Sequence, residues 1–102
     1  MSVIKINKNN FEEIRNGNAP VLLDFYADWC GPCRMVGPII EEIAAERSDI
    51  VVGKINVDDE QELAAQFGVF SIPTLIVLNR GKVAAQSTGA RPKAQILAML
   101  ER

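Results

Sequence analysis

Val3 to Ile6 alternates apolar and polar residues, the pattern of a short strand with one face in water. Asn10 then stands where a helix cap would, with Glu13 at the capping-box position, Phe11 and Ile14 on one face and Gly17 as the stop. After Pro20 the run Val21-Leu22-Leu23-Asp24-Phe25-Tyr26-Ala27 is almost wholly apolar, which suits a central strand covered on both faces, as parallel sheets require. From Cys33 to Arg47, Val36, Ile39, Ile40, Ile43 and Ala44 recur at helical spacing and leave Glu41, Glu42, Glu46 and Arg47 to water. Pro38 lies inside this helix and removes the hydrogen bond its N–H would have given to the Arg34 carbonyl, so a kink is expected there.

Ile50 to Val57 reads as a second buried strand. Asp59, with Glu62 three residues on, is placed to cap a helix that buries Leu63 and Phe67 and ends at Gly68. Leu75–Leu78 and Val83–Ser87 flank the tight turn Asn79-Arg80-Gly81-Lys82, a hairpin and therefore antiparallel. Gly89 breaks the pattern, Pro92 falls in the first turn of a last helix, and Ile96, Met99 and Leu100 form its apolar stripe. The order βαβαβαββα, without repeat, linker or low-complexity segment, predicts one α/β domain over residues 1–102 with a mixed sheet between helix layers.

Composition narrows the function classes. With 48% hydrophobic and 24% charged residues, disorder is excluded, and 102 residues bury a core without disulfides to hold it. A net charge of −2 offers no basic footprint for nucleic acid or an anionic membrane surface. Met1 to Asn10 lacks the apolar run of a signal peptide, and no stretch approaches membrane-spanning length, so the expected compartment is the cytoplasm. In that reducing setting a cycling cysteine pair is expected, rather than a permanent disulfide.

The chain's two cysteines both lie in Trp29-Cys30-Gly31-Pro32-Cys33. A zinc site would need further ligands, and there is no third Cys and no His, so no metal is expected. A structural staple gains stability with the length of the loop it closes, and this loop is minimal. The cysteines as small buried hydrophobes are the remaining bland reading. The spacing favours a two-electron dithiol/disulfide carrier.

Cys30, at the mouth of a helix, is the expected nucleophile, because unpaired N–H groups and the positive dipole end favour a thiolate. Cys33, one turn further in, is expected to be more shielded and to resolve the mixed disulfide. Gly31 and Pro32 tune the pair: a proline gives Cys30 no backbone hydrogen bond, no cation lies between the sulfurs, and a less stabilised thiolate means a more reducing couple. Asp24, just beneath the helix start, is the candidate base for Cys33, with a raised pKa if it is buried. The other reading turns Asp24 to solvent at a sheet edge. Lys54, embedded in the second apolar run, is either the partner that adjusts Asp24 or a snorkelling surface lysine.

These residues resemble the thioredoxin family along essentially the whole chain. Asp24 to Cys33 looks like its active-site segment, Pro38 like its helix-kinking proline, Ile72-Pro73-Thr74 like its cis-proline loop and Gly89 like the glycine flanking its substrate groove. The resemblance implies the thioredoxin fold, with a five-stranded mixed sheet of order 1-3-2-4-5 and two helices on each face. It implies a general protein-disulfide reductase with no bound cofactor, whose Cys30-Cys33 disulfide is recharged from NADPH by a flavin-dependent thioredoxin reductase. Its other partners would be disulfide-bearing client proteins, and the expected unit is a monomer.

A cis Pro73 would lie against the cysteines, and Trp29, Phe70, Ile72, Gly89 and Ala90 would form the contact surface. Phe70 reads equally as a core aromatic. Tyr26 stands where many members carry a second Trp, Gly37 where Ala is usual, and Phe70 where a polar residue or Met is frequent. Two competing readings are a redox-independent binding module on the same apolar face, and an oxidase or isomerase.

Overall fold

A computed structural model describes residues 2–101. In chain order its elements are β1 (Ile4–Lys5), α1 (Phe11–Arg15), β2 (Val21–Tyr26), α2 (Gly31–Glu46), β3 (Val51–Asn56), α3 (Gln61–Gln66), β4 (Thr74–Asn79), β5 (Lys82–Thr88) and α4 (Lys93–Met99). The strands form one sheet in the order β1-β3-β2-β4-β5. β3 is parallel to β1 and β2, whereas β4 is antiparallel to β2 and β5. This is the mixed sheet and strand order that the family resemblance implies.

The pleat of β2 divides the core. Successive side chains of a strand point to opposite faces, so Val21, Leu23 and Phe25 join Ile6, Phe11, Ile55 and Leu63 on one side, beneath α1 and α3. Leu22 joins Val36, Ile40, Ile43, Ile96 and Met99 on the other, beneath α2 and α4. Each face of the sheet thus carries two helices. Phe67 closes the α3 side, edge-on to Phe11 at 5.6 Å and tilted against Phe25 at 5.8 Å between ring centres.

The caps of α1 and α3 differ from the sequence reading for one physical reason. Short polar side chains choose among several nearby backbone groups. Asn10 precedes α1, but its side chain accepts from the Asn7 N–H and donates to the Lys5 carbonyl, and Asn7 Oδ1 in turn receives the N–H groups of Asn9 and Asn10. Glu13 therefore closes no capping box. α3 begins after Glu60 rather than under an Asp59 cap, and the Glu60 carboxylate reaches back to the Lys8 N–H. Pro92 lies one residue ahead of α4 with an extended backbone, not within its first turn. α2 starts at Gly31, with Cys30 at its mouth as read, and continues through Pro38.

The hairpin turn has positive φ at both central residues, 55° at Arg80 and 79° at Gly81, the twist that suits a two-residue hairpin. Gly53 meets a different demand. A Cβ built there would overlap the fully buried Ile6 side chain, 2.8 Å from its Cγ1 and closer still to Cδ1. Gly53→Ala should cost about 1–3 kcal/mol by overpacking. Ile6→Val, which removes that Cδ1 methyl, should recover part of the loss in the double variant. Urea denaturation checks both, and equal loss in the single and double variants would refute the steric account.

Candidate active site

β2 ends at Tyr26, and the chain turns through Ala27-Asp28-Trp29 before α2 begins. The Cys30 N–H bonds back to the Ala27 carbonyl at 3.2 Å, which sets Cys30 in an extended conformation at the N-cap of α2. There its Sγ accepts the Cys33 N–H at 3.2 Å, the role an N-cap oxygen usually fills. Pro32 sits in the first turn, where a missing N–H leaves no helical bond unmade. The two sulfurs are joined as a disulfide, with Cα atoms 5.3 Å apart.

Cys33 is not the more shielded of the pair. Cys30 is 4% exposed and Cys33 6%, both packed with Ala27 and flanked by Tyr26, Val57 and Ile72. In the oxidised state the two sulfurs differ by position on the helix and not by access to solvent.

The Ile72–Pro73 peptide is cis, Pro73 is buried, and Ile72 packs against the cysteine cluster. The Pro73 carbonyl accepts the N–H of Gly89, whose φ of 94° only glycine adopts readily. Gly89 and the exposed Ala90 are thereby tied to the proline loop. Phe70 is 93% exposed, so it is no core aromatic. Trp29, 68% exposed, donates its indole N–H to Asp58 Oδ2 at 2.9 Å.

Asp24 is buried, and no protein group donates to its Oδ1. Lys54 is its register partner on β3. With Cys33, Tyr26, Gly37, Ile40, Glu41 and Val3, the two residues line a hollow of about 170 Å³. The solvent-facing reading of Asp24 therefore fails, and Lys54, half-buried, lies beside it on the neighbouring strand.

A family model described as thioredoxin matches residues 2–102. The chain is 48% identical over 96 residues to a thioredoxin of Haemophilus influenzae, covering 92% of this chain and 90% of that protein. It is also 48% identical over 92 residues to a thioredoxin of Alicyclobacillus acidocaldarius, covering 89% and 88%. The chain belongs to the thioredoxin family. Its activity is thioredoxin-type disulfide reduction, and Cys30–Cys33 is the redox-active disulfide. A further relative, the bifunctional thioredoxin reductase/thioredoxin of Mycobacterium leprae, is 47% identical over 88 residues, which make up 85% of this chain and 19% of that protein. No helix of the described residues is long and apolar enough to cross a membrane.

Two residues at this family site escaped the sequence reading. Asp58 lies just past β3, and because β2 and β3 are parallel, their C-terminal ends share the edge that carries the cysteines. That placement was the available signal. Met35, 70% exposed, falls off the apolar stripe of α2 and borders a shallow hollow with Val36, Ile39, Ala90, Arg91 and Pro92.

Burial pushes the Asp24 carboxyl from 3.8 up to about 7, and the Lys54 charge draws it partly back down. The folded chain thus holds a proton on Asp24 that the unfolded chain has already lost between those two values. Stability should fall as pH rises through this window, with the whole penalty, on the order of 4 kcal/mol, present above about pH 7. Asp24→Asn should therefore be more stable than the parent in mildly alkaline buffer, with the difference shrinking toward pH 4. Denaturation at both pH values checks this, and a gain independent of pH would show that ionisation is not its source.

Proposed function

We propose that the chain is a general protein-disulfide reductase in which Cys30 attacks and Cys33 resolves. The observation that carries this reading is the Cys33 N–H directed at Cys30 Sγ at the N-terminus of α2. In the reduced protein that donor and the positive end of the helix stabilise negative charge on Cys30 and not on Cys33, which lies inside the first turn.

Catalysis begins from the dithiol. The Cys30 thiolate attacks one sulfur of a client disulfide, the client S–S bond breaks, and the other client sulfur leaves as a thiolate that takes a proton from solvent. Cys33 then passes its proton to the Asp24 carboxylate, directly or through a water, and attacks Cys30 Sγ. The bond from Cys30 to the client breaks, the second client sulfur leaves as a thiolate that takes a proton from solvent, and the Cys30–Cys33 disulfide closes. The client gains two electrons and the pair loses two. Lys54 favours the ionised form of Asp24 and so keeps a fraction of it ready as a base near neutral pH. Gly31 and Pro32 hold the pair reducing, since neither offers a charge to stabilise the thiolate further.

The client surface comprises Trp29, Phe70, Ile72, cis Pro73, Gly89 and Ala90, apolar groups around an enclosed disulfide. An extended client segment pairs with backbone beside Pro73. Two electrons return from NADPH through a flavin-dependent thioredoxin reductase. The reductase partnership is supported by the relative whose name joins a thioredoxin reductase to a thioredoxin. In this reading residues 1–102 act as one monomeric domain in the cytoplasm.

Cys33→Ser should accumulate a mixed disulfide with insulin or another protein disulfide, and Cys30→Ser should accumulate none. Trapping through Cys33 instead would reverse the assigned roles. Phe70→Ala should raise KM for a protein disulfide severalfold while leaving oxidation by a small disulfide unchanged, and equal effects on both would remove Phe70 from the client surface.

A further inference from the structure

Where α2 meets the loop leading into α4, Met35, Val36, Ile39, Ala90, Arg91 and Pro92 border a hollow of about 310 Å³. Val36 is buried and Ile39 half-buried, whereas Met35, Ala90 and Pro92 stand exposed around it. All of these but Arg91 are apolar, and Ala90 belongs also to the client surface proposed above. The hollow therefore continues that surface along α2, away from the sulfurs.

One cation stands on this apolar rim. The exposed Arg91 guanidinium donates to the Thr88 carbonyl at 3.2 Å, and no carboxylate of the described residues pairs with it. The acidic residues of α2 are committed elsewhere. Lys93 holds Glu42 at 2.7 Å and Glu46 at 2.6 Å, which ties the start of α4 to α2, and Glu41 lines the separate hollow beside Asp24. After the bond to Thr88, the guanidinium keeps donors in a planar array that matches a carboxylate.

We infer that this hollow selects among clients, taking an apolar side chain of the client segment while Arg91 pairs with an Asp or Glu next to it in that segment. The inference rests on the reductase reading and on Ala90 lying in the client surface. The apolar side chain gains burial against Met35, Ile39 and Pro92, and the carboxylate meets a charge that the protein leaves unneutralised. A client with Lys at that place sets two cations together, so the site discriminates by repulsion as well as attraction. Arg91 takes no part in the sulfur exchange; it is a specificity residue.

The test uses the full reduced chain and disulfide-linked peptides in which a Leu-Glu pair is walked through the positions flanking the cysteine, each beside its Leu-Gln and Leu-Lys counterparts. Release of the peptide thiol gives the rate. At one register the Glu peptide should react roughly two- to fivefold faster than the Gln peptide, the range that a partly exposed ion pair supports, and high salt should narrow the gap. Arg91→Gln should abolish the difference, and Arg91→Glu should reverse it in favour of Lys. Lys82→Gln removes the same charge from the start of β5, outside the hollow, and should keep the parental preference. Met35→Ser should weaken the preference for Leu over Ala at the neighbouring peptide position.

Equal rates for Glu and Gln peptides at every register in the parent overturn the inference, and so does a difference that survives Arg91→Gln. Self-association in sedimentation velocity that Met35→Ser abolishes would assign the hollow to a second copy of this chain, and would overturn it too. If the parent reduced neither the peptides nor insulin, the reductase reading itself would fail, a result distinct from normal turnover without charge preference.

Discussion

A strand covered on both faces has no polar side, and β2 is such a strand. Every alternate residue must satisfy one of two dry layers, and Val21, Leu23 and Phe25 do so on one face and Leu22 on the other. Asp24 breaks this rule at the position next toward the cysteines. Its carboxyl enters the α2 layer because Leu22 does, two residues earlier. The parity that builds the core thus also aims a titratable group at the base of the helix whose mouth holds the sulfurs. Moving the register by one residue would send Asp24 into the α1 and α3 layer, away from them.

Much of this was legible in the residues. β2, α2 and the hairpin carry long periodic or turn signals, and each formed within a residue or two of the reading. The caps at Asn10 and Asp59 were less legible because an amide or carboxylate can serve a turn as readily as a helix end, and Asn7 and Glu60 took other partners. Relative access to Cys30 and Cys33 was beyond a linear reading, since Ala27, Val57 and Ile72 enclose both sulfurs from three separate segments. Phe70 stood open between core and surface for a similar reason. Its apolar character says nothing of which side of a loop it faces, and only the fold turned it outward.

The surroundings of the disulfide combine two opposite properties. The sulfurs are almost wholly enclosed, whereas Trp29, Met35 and Phe70 expose large apolar groups to water. A small, well-hydrated thiol gains little from such a surface, but a polypeptide segment covers it and gains apolar burial in return. The proposed preference for protein disulfides draws on these surroundings of the reacting atoms. The hydrogen bond from Gly89 to Pro73 supports this arrangement by coupling the two loops that border the groove.

Trp29 is the chain's single tryptophan, held by Asp58 one residue before the first sulfur. Indole emission is sensitive to an adjacent disulfide and to the polarity around the ring. The protein therefore carries one intrinsic fluorophore, anchored at the rim beside the pair, placed to sense a change there without any attached dye.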